Sequence, residues 1–166
     1  MTTVSTVRAG PSGVGESQSQ TSNASGVRVI VCSSCRVKDD PPDAPRAGTG
    51  LAAATRAAAQ DTGIATSAIA CFGNCSRGLT AAIVTPDAWT YVFGDLGPDS
   101  AQDLIAGALL MADAPDGLMP WRPRPQSLKR GMIARIPPPN LLPGLETLPP
   151  APLPDEPARA PVKDEA

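Results

Sequence analysis

The side chains in this chain whose type and spacing can do chemistry are four cysteines. They form two close pairs, Cys32-Ser33-Ser34-Cys35 and, after thirty-five intervening residues, Cys71-Phe72-Gly73-Asn74-Cys75. Histidine is absent from all 166 residues. That excludes a histidine general base, a histidine-containing triad, a zinc finger of the two-cysteine, two-histidine type and a Rieske centre. Thiolates are soft anionic ligands. Four of them without imidazole suit an all-cysteine iron–sulfur cluster or an all-cysteine zinc site, and both pair spacings fall within the two to four residues usual between paired zinc ligands. Gly73, inside the second pair, lets the backbone wrap closely and point amides at sulfur, which favours an anionic centre.

Two other readings stay open. The first pair can be a dithiol redox couple, or all four thiols can be buried and inert. A dithiol couple wants its second cysteine in the first turn of a helix. Here Asp39-Asp40-Pro41-Pro42-Asp43-Ala44-Pro45 delays the next helix, and no proline stands between Arg46 and Val84 to face such a motif. Phosphate-loop chemistry lacks support as well: Gly48-Thr49-Gly50 follows a loop and has no lysine at the required place. The net charge of −2 offers no bulk attraction to nucleic acid or membrane. No run approaches the roughly 18 apolar residues of a spanning helix.

Positioning the cysteines falls to a compact middle, 27–112. Val27 to Val31 is a β-branched run that suits a buried strand. A helix is expected from Thr49 as N-cap through Gln60, with Gly63 as its stop. A second strand fits Thr66 to Ala70. Thr80 to Val84 and Trp89 to Phe93 flank a Pro86 turn and read as a hairpin. A last helix opens at Ser100, with Asp103 three residues on as a capping-box pattern. Its apolar stripe is Leu104, Ile105, Ala108, Leu109 and Ala112, and Pro115 ends it. The order β-α-β-β-β-α implies a parallel pair joined by a crossover, then an antiparallel hairpin: an α/β domain of thioredoxin-like layout. Each cysteine pair then follows the C-terminal end of one parallel strand.

On these residues the chain resembles the thioredoxin-like 2Fe–2S ferredoxins, which include the small subunit of the NADH-oxidising module of respiratory complex I. In that group the second pair reads C-x-G-x-C between a strand and a hairpin, as Cys71 to Cys75 does; the first pair is spaced more widely than here. The chain also resembles an uncharacterised bacterial family described as predicted metal-binding proteins, in Val31 to Arg36, Cys71 to Gly78, Asp116 to Arg122 and Leu128 to Gly131. Members are often encoded near cobalamin-biosynthesis genes. The resemblance implies one 2Fe–2S cluster on Cys32, Cys35, Cys71 and Cys75, with Gly73 beside it. It further implies a small one-electron carrier rather than an enzyme, with a place in cofactor synthesis. The alternative is a zinc- or cluster-stabilised interaction module without redox turnover.

Outside the middle, composition changes. Fourteen of the twenty prolines lie between Asp113 and Ala166. Residues 1–26 are Ser-, Thr-, Gly- and Gln-rich and read as a disordered leader without an export signal, which points to the cytoplasm. Residues 113–139 read as a basic, proline-punctuated extension. Its Arg122, Arg124, Lys129, Arg130 and Arg135 are either a solvated strip or a docking surface for an acidic redox partner. Residues 140–166 read as a disordered, acidic, Pro-rich tail.

Overall fold

The structure is a computed structural model that describes residues 26–37 and 40–144. The expected leader and most of the expected tail therefore lie outside the described residues. Five strands form one sheet: β1 Arg28–Cys32, β2 Ala65–Ile69, β3 Ala81–Val84, β4 Thr90–Phe93 and β5 Met132–Ile136. Their order across the sheet is β2-β1-β3-β4-β5. β1 and β2 are parallel, with Cys32 opposite Ile69. β3 is antiparallel to both β1 and β4. That is the expected thioredoxin-like arrangement, with β1 between β2 and β3 and with β5 added at the far edge.

Alternation along the strands decides which side is core. Val29 and Val31, Ala81 and Ile83, and Tyr91 and Phe93 are paired neighbours on one face and are all buried. Against this face pack α1 Ala47–Ala58 and α2 Ala101–Ala112, which also touch each other. Leu51 of α1 and Leu104 and Ala108 of α2 have no exposed surface. The layers are thus one sheet and one helical layer, around a core that includes Cys32 and Cys35.

Several local expectations are corrected. Helix α1 begins at Ala47, before Thr49, and Arg46 precedes it without a side-chain cap. Thr49 is inside the helix, and its hydroxyl donates to the Ser33 carbonyl. Ser100 precedes α2 but caps nothing. Its hydroxyl accepts the Gly97 N–H, and Asp103 accepts the Ser127 hydroxyl instead of reaching back. The buried stripe of α2 includes Ala101 and Met111, whereas Leu109 is exposed.

The largest correction concerns 113–139. This segment is built into the domain. It carries α3 Gln126–Arg130 and then β5, which pairs antiparallel with β4 through an irregularity at Val92/Phe93. Leu128 and Met119 are buried in the same core. The tail expected from residue 140 likewise begins with a 3₁₀ turn, Pro139–Gly144.

Candidate metal centre

Each thiol pair sits where a parallel strand stops. Cys32 ends β1, and Cys71 follows β2 by two residues. Because the strands are parallel and in register, both chain segments leave the sheet at the same end. Hydrogen bonds then lace them together: Ser33 N–H donates to Ile69 O, and Ser34 N–H to Ala70 O.

The first pair is held from behind by α1. Gly48 N–H donates to the Cys35 carbonyl at 3.0 Å, and Arg46 reaches the Ser34 carbonyl. A methyl at Gly48 would lie 2.2 Å from the Cys32 carbonyl oxygen, so only glycine allows this approach. The helix start thus returns to the pair in space despite the intervening loop. Its contacts are to backbone carbonyls, whereas a dithiol couple would direct that helix field at sulfur. The loop itself gathers round Arg36, whose guanidinium donates to the carbonyls of Pro41, Pro42 and Ala44.

The second pair is exposed. Cys71 Sγ and Cys75 Sγ are 4.0 Å apart. Gly73, at φ +74°, turns its N–H onto Cys71 Sγ at 3.1 Å, as its position between the cysteines leads one to expect. Asn74 fixes this loop. Its side-chain amide donates to Arg77 O and to Thr80 Oγ1 at the start of the hairpin. Asn74, Thr80 and Gly48 are site residues that sequence reasoning missed, because none carries chemistry of its own.

Electrostatics separate the four thiols. Burial pushes Cys32 up, but hydrogen bonds from Cys35, the Phe72 amide and Ser34 outweigh it, and its pKa lies below the ordinary thiol value. Burial and the neighbouring Cys32 push Cys35 up to about 11, against a hydrogen bond from the Thr80 amide. Cys75 is raised by its hydrogen bond with Cys71 and by the Cys71 charge; it also feels Cys32 across the gap. A cavity of about 460 Å³ is lined by one cysteine of each pair, Cys35 and Cys75, together with Ser34, Ser76, Arg46 and Gly78.

These residues fit a thiolate-bound metal group. Two sulfurs on one tetrahedral ion at about 2.3 Å stand about 3.8 Å apart, close to the 4.0 Å between Cys71 and Cys75. Backbone N–H groups already point at Cys32, Cys35 and Cys71. Such donors stabilise bound thiolate and metal charge. Among the described residues, no three cysteine or acidic side chains converge on a single ion position. The donors are two pairs, of which Cys35 and Cys75 line the cavity.

The five basic residues do not form one surface. Arg124 is buried, donating to Met119 O at 2.6 Å and lying 5.2 Å from the centres of both the Tyr91 and Trp121 rings. Burial pulls its pKa below the usual arginine value. It is a core residue and leaves the docking group. Arg135 stacks on Trp89 at 4.5 Å. Lys129 lies over the Trp121 ring and donates to Arg122 O, while Arg122 and Arg130 are exposed.

Sheet order and paired thiols define a thioredoxin-like α/β domain with a candidate all-cysteine centre. Residues 29–138 match the family model described as "Protein of unknown function (DUF1636)", and the chain belongs to this family. Two solved structures of a thioredoxin-like [2Fe–2S] ferredoxin from Aquifex aeolicus are similar to it, each at 18% identity and a TM-score of 0.43. They cover 68% and 65% of this chain and 94% and 96% of their own. No curated protein matches. No helix among the described residues is long and apolar enough to cross a membrane.

Proposed function

We propose that this protein is a small one-electron carrier that holds one 2Fe–2S cluster on Cys32, Cys35, Cys71 and Cys75. The observation that carries the reading is the placement of the thiols at one end of the parallel strands: one cysteine of each pair, Cys35 and Cys75, lines a common cavity, and each pair has a backbone N–H donor on sulfur. Bound there, the cluster would supply reversible one-electron redox chemistry. The chain's own residues fix the ligands, donate hydrogen bonds to the thiolates and bring Arg46 to the cavity wall. Charge-assisted hydrogen bonds of this kind favour bound anionic sulfur.

Docking of an acidic redox partner is assigned to Arg122, Lys129 and Arg130, with Arg135 further along the β5 edge. A role in cofactor synthesis, cobalamin included, belongs to the same reading and rests on the family resemblance. Zinc is the second reading, since both pair spacings satisfy it. Anaerobic purification separates the two. A red-brown protein with two irons and two sulfides per chain, bleached by dithionite, supports the carrier. A colourless protein with one stoichiometric zinc overturns it in favour of a metal-stabilised interaction module.

A further inference from the structure

Trp121 is 56% exposed, the most open aromatic ring of the domain. Arg124 lies against it from the core side, and Lys129 approaches its ring at 6.0 Å. Arg122 and Arg130 are exposed nearby in the chain. None of these cations has a carboxylate partner among the described residues, where the ion pair is Arg77–Asp95. Asp103 is engaged with the Ser127 hydroxyl and Asp116 with the Leu118 N–H. The result is an open aromatic ring set among uncompensated positive charges.

The sequence beyond Gly144 has the complementary chemistry. Pro149-Pro150-Ala151-Pro152-Leu153-Pro154 is followed at once by Asp155-Glu156. Proline-rich segments dock on exposed aromatic rings because their extended form is already preorganised, and an adjacent charge fixes orientation. The twenty-two residues after Gly144 carry five acids against Arg159 and Lys163. Asp155 stands eleven residues beyond Gly144, a reach of up to about 34 Å at about 3.1 Å per residue, comparable with the diameter of a domain this size. We propose that this segment, 145–166, docks in cis on the Trp121 face, prolines on the ring and Asp155-Glu156 on Arg122, Lys129 and Arg130. It thereby covers the surface that an acidic partner would use. The docking itself rests on the Trp121 ring and its neighbouring cations and stands whichever metal the cysteines hold; the covering of a partner's surface rests on the proposed function.

Zero-length carbodiimide coupling tests it on the full chain, because Lys129 is one of only three lysines. An equal mixture of ¹⁴N- and ¹⁵N-labelled protein should give an amide from Lys129 to Asp155 or Glu156 within single-label peptides, suppressed by 0.5 M salt on the order of a Debye length of 4 Å. Mixed-label peptides would make a second copy the occupant and overturn the proposal, as would the absence of any Lys129 coupling to 145–166. As an independent readout, Asp155→Lys/Glu156→Lys should raise acrylamide quenching of Trp121 about twofold, since millimolar effective concentration keeps a weak site roughly half-filled. Unchanged quenching in a Trp89→Phe background would also refute it.

Discussion

Gly48 and Gly50 stand two residues apart in the first turns of α1, yet a methyl group should act on them in opposite directions. At Gly50 an added Cβ meets nothing within 4 Å. Alanine there should stabilise the helix by up to about 1 kcal/mol. At Gly48 the same carbon would sit 2.2 Å from the Cys32 carbonyl oxygen and 3.1 Å from both the Cys35 nitrogen and the Ser33 carbonyl carbon. Carbon–oxygen contacts settle near about 3.3 Å, so the backbone must part by about 1 Å. What moves is the first thiol pair itself, because every atom met is main chain. Overpacking of this kind costs about 1–3 kcal/mol, offset by at most about 1 kcal/mol of helix preference. Gly48→Ala should therefore melt roughly 5–10 °C lower, and Gly50→Ala a few degrees higher. Thermal unfolding, with metal content measured on the same samples, is the assay. Gly48→Ala should also lose metal, whereas Gly50→Ala should retain it. Equal melting temperatures and equal metal contents would refute the argument that α1 braces the cysteine segment.

Any single Cys→Ser change at 32, 35, 71 or 75 should abolish most of the cluster signal; a full signal in Cys32→Ser or Cys35→Ser would show that the first pair does not ligate. Asn74→Ala removes two hydrogen bonds, worth about 1 kcal/mol each, and should speed metal release to a chelator at unchanged stoichiometry. Arg124→Ala should cost about 2–4 kcal/mol in urea unfolding, from the Met119 carbonyl and two ring contacts; a surface arginine would cost under about 0.5 kcal/mol. Chelated protein should melt well below the loaded form, since structural zinc sites contribute on the order of 10 kcal/mol to folding. In contrast, Lys129→Glu/Arg130→Glu should leave melting unchanged and slow association with an acidic redox partner at low salt.

The parts of the fold visible in the sequence are those where pattern and burial agree. β1, β3 and β4 alternate or run apolar on a face that is buried, so their existence and pairing follow directly. The C-x-G-x-C loop was legible because only Gly73 suits its positive φ there. The start of α1 was misplaced because Thr49 is a good cap by type, whereas the loop contacts of Arg46 and Gly48 decide where the helix begins. β5 and α3 were hidden by prolines at 120, 123, 125 and 137 to 139. These residues flank the elements without entering them. Edge strands tolerate such neighbours, and a charged residue like Arg135 is usual on them. Arg124 misled for a different reason: sequence shows its charge, but not that two aromatic rings and a carbonyl enclose it.

Gly94 is the point where three segments meet without a side chain between them. A Cβ there would lie 2.6 Å from Arg77 O, 2.6 Å from Ile133 Cδ1 and 2.8 Å from Asn74 Nδ2. Its own N–H donates to Gly131 O at 2.8 Å, and the next residue, Asp95, donates to Arg77 O at 2.8 Å. Main chain and two hydrogen bonds thus connect Cys75, through Arg77, Asp95 and Gly94, to Gly131 and Arg130. The relative position of the thiol loop and the basic edge is therefore set by main chain rather than by side-chain packing. Any side chain at position 94 would wedge both joints open. The thiol loop, the end of β4 and the segment carrying Arg130 would then lose their common fixed point.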